Sequence, residues 1–109
     1  MAYDEGLAQR MRKVMQQYSG VTEKKMFGGI AFMVNGNMCA GVSGSNVMLR
    51  VGPAQYEQCL KQKSAREMDF TGRPMKGFIF VDQQGVKTDA SLHRWIGTAH
   101  HFVDALPKK

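Results

Sequence analysis

Two apolar runs meet at Asn35-Gly36, and this dipeptide constrains the fold more than any other feature of the sequence. Both central residues of a type I′ turn need a positive φ, and Asn followed by Gly is a pair that adopts it readily. Residues 26–34 therefore predict a strand that returns antiparallel through residues 37–42. A polar turn at 43–46 leads into a third strand at 47–51. The centre of the chain is thus predicted to be an antiparallel meander.

A two-residue turn also predicts which side chains share a face of the hairpin. It pairs Val34 with Asn37 and Phe32 with Cys39, and side chains alternate from there. Neither face is then polar, and a sheet that is apolar on both sides usually has both sides covered. One of the two faces can be covered by another layer of the same chain or by a second copy of the chain. The second possibility is our reason to predict a homodimer. The first face carries Ile30, Phe32, Val34, Cys39 and Gly41, and the second Ala31, Met33, Met38, Ala40 and Val42.

Helical periodicity appears on both sides of the meander. An apolar stripe between residues 3 and 18 predicts a first amphipathic helix, and Gly52-Pro53 starts a short second helix, because proline is tolerated in a first turn. A third helix is predicted from an N-cap at Asp89 as far as Pro107. The stripes are Leu7, Met11, Val14, Met15 and Tyr18; then Tyr56, Cys59 and Leu60; then Leu92, Trp95, Ile96, Ala99, Phe102, Val103 and Leu106.

Between the second and third helices, alternation of Met68 and Phe70 predicts a brief extended piece, and residues 78–81 predict a clear strand. The element order is therefore α-β(3)-α-β(2)-α, an α+β fold with an antiparallel sheet. With 109 residues, the chain has the usual size of one domain, which we place at residues 1–109.

Composition and termini bound the location and the partners. The N-terminal residues lack the basic start and the apolar run of a secretory signal, and no apolar run in the sequence is long enough to span a membrane. We therefore expect a cytoplasmic protein with no membrane partner. Cys39 and Cys59 lack the spacing of a metal or disulfide motif and are expected to be reduced and buried. The net charge of +6 suits phosphate backbones and acidic partners alike, but the basic residues are dispersed, so nucleic acid is not the favoured partner.

Motifs for catalysis are weak throughout the sequence. His93, His100 and His101 fall at i, i+7 and i+8 of the last helix, whereas helical metal ligands need i and i+4. No GxSxG elbow and no phosphate-binding glycine loop occur. We therefore predict neither a metal nor a cofactor, and no enzyme activity.

A cluster of basic residues remains as the candidate site. One interpretation is structural, with Arg50 paired to Asp69 or Glu67 near the sheet. The other is a site for an anion or an acidic peptide, for which the bidentate guanidinium is well suited. The candidate residues are Arg50, Arg66, Arg73 and Lys76.

Several segments, in order, resemble the N-terminal domain of the TfoX/Sxy family of bacterial competence regulators. The resemblance runs from about Glu5 to Pro107. The segments that carry it are MFGGIAF at 26–32, NGNM at 35–38, LRVGP at 49–53, AREMDF at 65–70, GRPMKG at 72–77, and Trp95.

The resemblance implies an α-β(3)-α-β(2)-α fold like that of the secretion chaperones and brings no catalytic residues. It also implies a role in transcriptional control of DNA uptake, alongside another transcription factor. Regulators of this family carry a second, C-terminal domain. The present sequence ends at Pro107-Lys108-Lys109, close to the end of the resemblance, so we expect a single-domain member. Our leading hypothesis is a non-enzymatic regulatory or protein-interaction module. The alternative is a basic accessory protein that binds nucleic acid.

Overall fold

The computed structural model describes residues 3–26, 28–68 and 76–107. Within these ranges three α-helices accompany a six-stranded antiparallel sheet of order β1-β2-β3-β4-β6-β5. The predicted α+β class with an antiparallel sheet is confirmed. The elements are α1 (Glu5–Met15), β1 (Val21–Met26), β2 (Gly29–Val34), β3 (Asn37–Ser43), β4 (Asn46–Arg50), α2 (Pro53–Leu60), β5 (Ala65–Glu67), β6 (Phe78–Val81), a 3-10 helix (Gln83–Val86) and α3 (Asp89–Asp104).

Strand β1 is an element that the sequence pattern did not predict, and it makes the sheet one strand larger than expected. It lies at the sheet edge and pairs only with β2, and its residues 22–25 are exposed. Because these four consecutive residues are exposed, the strand shows no apolar alternation that would predict it. Lys24 and Lys25 at this edge oppose pairing with another chain, as charges on edge strands generally do.

The predicted hairpin register is right beside the turn and wrong beyond it. Asn35 and Gly36 both have positive φ, and Val34 pairs with Asn37. Phe32, however, pairs with Ala40, because a bulge at Cys39 inserts one extra residue into β3. The insertion reverses the alternation after the bulge. Ala40 and Val42 therefore join the face of Phe32, and Gly41 moves to the opposite face.

One face of the sheet carries all three helices. The main core joins this face to the buried stripes of α1, α2 and α3, with Trp95 of α3 only 3% exposed. Helix α3 packs on β3 and β4, whereas α2 packs on β5 and β6. Phe102 and Leu106, predicted as core residues of α3, are only partly buried at the margin of this layer.

The opposite face of the sheet forms a second, methionine-rich core. Its members are buried within the single chain, so its apolar character does not by itself require a second copy. The homodimer therefore stays a prediction. The cluster consists of Ala31, Met33, Met38, Met48, Met68 and Phe80, with Phe78 packed against it.

Side-chain caps begin two of the helices. Asp4 accepts a hydrogen bond from the Leu7 amide at 3.1 Å and so caps α1. Helix α3 is capped by Thr88, which accepts from the Ser91 amide, and the prediction of Asp89 as the cap was wrong by one residue. Threonine and aspartate are both good N-caps, so composition alone could not choose between adjacent candidates.

Candidate interaction surface

Strand β6 places two of the four predicted site residues on the same face of the sheet. Arg50 of β4 is the register partner of Phe78, and Arg66 of β5 is the register partner of Phe80. Partners in an antiparallel pair point to the same side, so both arginines flank the two phenylalanines. From strand spacing and rise, the two arginine α-carbons lie about 12 Å apart. The structure therefore brings Arg50 and Arg66 to one surface.

Both guanidinium groups lie over aromatic rings. The Cζ of Arg66 is 5.3 Å from the centroid of Phe80, and that of Arg50 is 5.4 Å from Phe78 and 5.8 Å from Phe102. These distances are within the range of cation–π attraction. A guanidinium held by its face keeps its N–H edge for another acceptor. The surface formed by Arg50, Arg66 and their rings is called the arginine surface below.

Lys76 lies at the same end of the sheet as Arg50. The carbonyl of Gly77, next along the chain, accepts hydrogen bonds from the amides of Val51 and Gly52 at 2.8 and 3.1 Å. These bonds join the start of β6 to the end of β4, and they put the exposed Lys76 close to Arg50 along the backbone. The backbone of Lys76 is therefore near the arginine surface.

The remaining predicted residues cannot be placed on this surface. Arg73, and Asp69 as a possible partner of Arg50, lie outside the described residues. Among the residues that are described, neither Arg50 nor Arg66 forms an ion pair, and the proposed pair of Arg50 with Glu67 is not formed. The two guanidinium groups therefore have aromatic support and no carboxylate partner within the described ranges.

Two other arginines have structural roles instead. The Arg10 Nη2 donates to the Val86 carbonyl oxygen at 2.8 Å and pairs with Asp89 at 3.2 Å, which links α1 to the start of α3. The Arg12 Nε donates to the Glu23 carboxylate at 3.0 Å, which links α1 to β1. The contrast distinguishes arginines that hold helices in place from arginines that face outward on rings.

A groove between α2 and α3 lies on the helix-bearing face of the sheet, opposite the face that carries Arg66 and Phe80, and it meets the arginine surface at Arg50. It has a volume of about 690 Å³ and is lined on the sheet side by Val51 and on the α3 side by Phe102. The same Phe102 ring lies under Arg50, so it joins the groove to the arginine surface. Gly52 has φ 86° and ψ 160°, and a Cβ there would overlap the Phe102 ring. Glycine at this position therefore lets the ring lie against the backbone.

Two of the histidines contact side chains of the α1 region, and both cysteines are buried. His100 stacks on Tyr18 with ring centroids 3.7 Å apart, and His93 accepts from Gln17 Nε2 at 2.7 Å. No group of three metal-ligating side chains occurs among the residues that the structure describes. Both cysteines are free and buried, as predicted. Burial raises the pKa of the Cys39 thiol to about 12, and nearby Arg50 opposes this rise.

Sequence reasoning missed the aromatic half of this surface. The sequence pattern predicts Phe78 and Phe80 only as strand residues and Phe102 only as a core residue. Their pairing with the arginines depends on β6 lying between β4 and β5, an order that no local pattern encodes. The groove, in contrast, had a signal in the sequence. Arg94, Thr98, His101 and Ala105, which line it, recur every three or four residues as a second stripe along the last helix.

These features define a small α+β domain with its helices on one face of an antiparallel sheet. Residues 13–103 match the family model described as the TfoX N-terminal domain, and the chain belongs to that family. The resemblance predicted from the sequence motifs is confirmed. No curated protein and no solved structure matches the chain.

The described helices are also informative about membranes. None of those within residues 3–26, 28–68 and 76–107 is long and apolar enough to cross a bilayer.

Proposed function

We propose that this protein is a non-catalytic, protein-binding module that recognises an acidic partner through its arginine surface. The observation that carries the proposal is the pair Arg50 and Arg66, each supported on an aromatic ring and neither ion-paired within the described residues. An arginine whose only role is structural normally pairs with a carboxylate, as Arg10 and Arg12 do. A supported guanidinium with an open N–H edge is suited to a carboxylate supplied by another molecule.

Rigid support matters for the strength of this recognition. A long side chain loses conformational freedom when it is fixed on binding, and this loss opposes association. Phe78 and Phe102 hold the Arg50 guanidinium before the partner arrives, and Phe80 does the same for Arg66. Less freedom is then lost when the partner binds. This preorganisation is the physical reason to assign recognition to these two arginines rather than to flexible surface lysines.

Membership of the TfoX N-terminal domain family supports a regulatory role for this module. We propose that the partner belongs to the machinery of transcriptional control, in a process connected with DNA uptake. The proposed compartment is the cytoplasm, which suits the two free thiols.

A nucleic-acid-binding accessory role is the second candidate. The net charge of +6 favours it, and so do Lys24 and Lys25, which are exposed on the edge strand β1. These lysines lie at the opposite end of the strand order from Arg66 on β5, so the basic residues do not form one continuous track on the described surface. We therefore favour a protein partner.

The first experiment captures partners from the native cell with the full chain as bait. Wild-type bait is compared with Arg50→Gln and Arg66→Ala, and with Lys87→Ala as a matched control, because Lys87 is exposed and remote from both arginines in sequence. The captured partner is then purified and titrated by calorimetry. We expect each arginine variant to weaken binding by about tenfold or more, since a hydrogen bond to a charged group contributes about 1.5–3 kcal/mol. Lys87→Ala should bind like wild type.

Arg66→Lys distinguishes the role of the planar guanidinium from that of its positive charge. Lysine keeps the charge but lacks the planar donor geometry, so bidentate recognition predicts that Arg66→Lys binds the partner weakly, like Arg66→Ala. A partner that binds both arginine variants as tightly as wild type contradicts the proposal. Binding to duplex DNA that weakens steeply with salt and is lost when Lys24 and Lys25 are replaced by alanine supports the second candidate instead.

The predicted homodimer is tested separately. Light scattering on the eluting peak of a size-exclusion column gives the molar mass directly. A dimer mass at high micromolar concentration supports the prediction, and monomer alone at that concentration contradicts it.

A further inference from the structure

We propose that the groove between α2 and α3 binds an amphipathic helix with acidic residues, supplied by the protein partner. The inference rests on the proposed function and names the part of the chain that takes the partner's recognition segment.

The groove exists because the two helices pack on different strands. Helix α2 lies over β5 and β6, and α3 lies over β3 and β4, which leaves a channel on the same side of the sheet. Val51 lines its floor and is 1% exposed, and Phe102 and Leu106 add partly buried apolar surface. The walls are therefore helical and the floor is apolar.

Small side chains shape the walls of the channel for a close neighbour. Ala54 lines it from α2, and Gly97 and Ala105 line it from α3. Packed helices have axes about 8–10 Å apart, depending on the side chains at the contact, and small side chains allow the shorter distances. The lined part of α3 runs from Arg94 to Ala105, which is roughly 16 Å or three turns of helix. The α3 wall is thus long enough for about three turns of a partner helix, whereas α2 contributes Ala54 and Gln55 of its first turn.

A helix fits this channel better than an extended strand. Added strands need unpaired backbone N–H and C=O groups along an edge. The backbone groups of the α3 wall are used within the helix away from its end, and α2 contributes Ala54 and Gln55 of its first turn, a stretch too short to pair with a strand. Side-chain packing is then the means of binding, as in helix-in-groove recognition.

Charge decides which kind of helix fits. Arg94 and His101 line the channel and are exposed, and no aspartate or glutamate of the described ranges lines it. Arg50 adds a further positive charge beside Phe102. A helix with an apolar stripe and acidic flanks complements this pattern, whereas a second copy of the chain also carries a net charge of +6.

A small molecule is a poorer occupant. Sites for small ligands usually bury 70–90% or more of the ligand surface. Ala54, Gln55 and Ala105 on the walls are themselves exposed, so the channel is open along its length. An open channel leaves one side of its occupant in water, as suits the polar side of an amphipathic helix.

The test is a selection of displayed random 16-residue peptides against the full chain, followed by titration of the selected peptides. We expect selected sequences with apolar residues at i, i+3 or i+4 and i+7 and with acidic residues between them. Arg94→Glu and Ala105→Glu should each weaken these peptides by about tenfold or more, because they place like charges opposite one another. Lys87→Glu makes the same charge change as Arg94→Glu outside the groove and should have little effect. Circular dichroism checks that each variant is folded. If Ala105→Glu does not fold, the comparison of Arg94→Glu with Lys87→Glu is enough to test the groove.

Each remaining outcome is decisive. Acidic peptides that depend on Arg66 but not on Arg94 or Ala105 leave the proposed function intact and overturn the groove. Peptides without acidic residues or helical spacing also overturn it. Recovery of no acidic binder at all counts against both proposals. A dimer that Ala105→Glu converts to a monomer identifies a second copy as the occupant and overturns the acidic helix.

Discussion

Replacing Gly52 with alanine tests the junction between the groove and the arginine surface. The residue has φ 86° and ψ 160°, a region that residues other than glycine rarely adopt, and holding alanine there costs about 1–3 kcal/mol. The new methyl group also overlaps the ring of Phe102, which must shift, and overpacking of this kind costs about 1–3 kcal/mol. We expect Gly52→Ala to lower the free energy of unfolding by the sum of the two costs, about 2–6 kcal/mol.

Thermal and urea denaturation, followed by circular dichroism, measure this loss. For a domain of this size, each kcal/mol shifts Tm by about 4–8 °C, so a fall of at least about 8 °C is expected. Gly44→Ala is the matched control, because Gly44 also has a positive φ, +57°, but a Cβ there meets nothing within 4 Å. Its cost should be only the backbone part, about 1–2 kcal/mol.

A double-mutant cycle isolates the contact with the ring. In a Phe102→Leu background the side chain at position 102 is smaller and more flexible, so Gly52→Ala should cost less than it does in the wild type. The reasoning is refuted if Gly52→Ala costs no more than Gly44→Ala, or if its cost is the same in both backgrounds.

Further predictions concern a thiol, a cap and a buried amide. Because the pKa of Cys39 rises from its ordinary 9.0 to about 12, its thiol should resist a disulfide reagent at pH 8 until urea unfolds the chain. Ionisation favours the unfolded state, so this contribution to stability is complete below pH 9 and is lost as the pH rises towards 12; a Cys39→Ala variant should lack that part of the alkaline loss. Thr88→Ala should cost about 1 kcal/mol in urea denaturation, and Asp89→Ala less, because the cap is Thr88 and the ion pair of Asp89 is exposed; equal costs would contradict the cap assignment. Asn37→Ala should cost about 1–2 kcal/mol, since Asn37 is buried and its Nδ2 donates to the Pro107 carbonyl at 2.9 Å; an unchanged midpoint would show that this bond contributes nothing.

Local signals predicted much of the fold. The Asn35-Gly36 turn, the start of α2 at Pro53 and the strand at Phe78–Val81 are all confirmed. Each depends on a few neighbouring residues, whose backbone preferences or alternation act over a short range. The edge strand β1 had no such signal, because its residues 22–25 are all exposed.

The candidate site was predictable only in part. Arg50 stood out because it is a charged residue within an apolar strand, and Arg66 because it lies among other charges. Their aromatic partners come from β6 and α3, which are distant in sequence. The groove needs the separation of α2 from α3 across the sheet, which depends on where each helix packs.

The sequence by itself determined the central meander, its first turn, the apolar stripes of the helices and the family. These properties follow from short-range backbone preferences and from motifs that can be compared directly. Only the tertiary structure decided the bulge at Cys39, the place of β6 between β4 and β5, and the pairing of Arg50 and Arg66 with rings. The physical reason is that register and strand order depend on long-range packing, and a one-residue insertion reverses every later side chain.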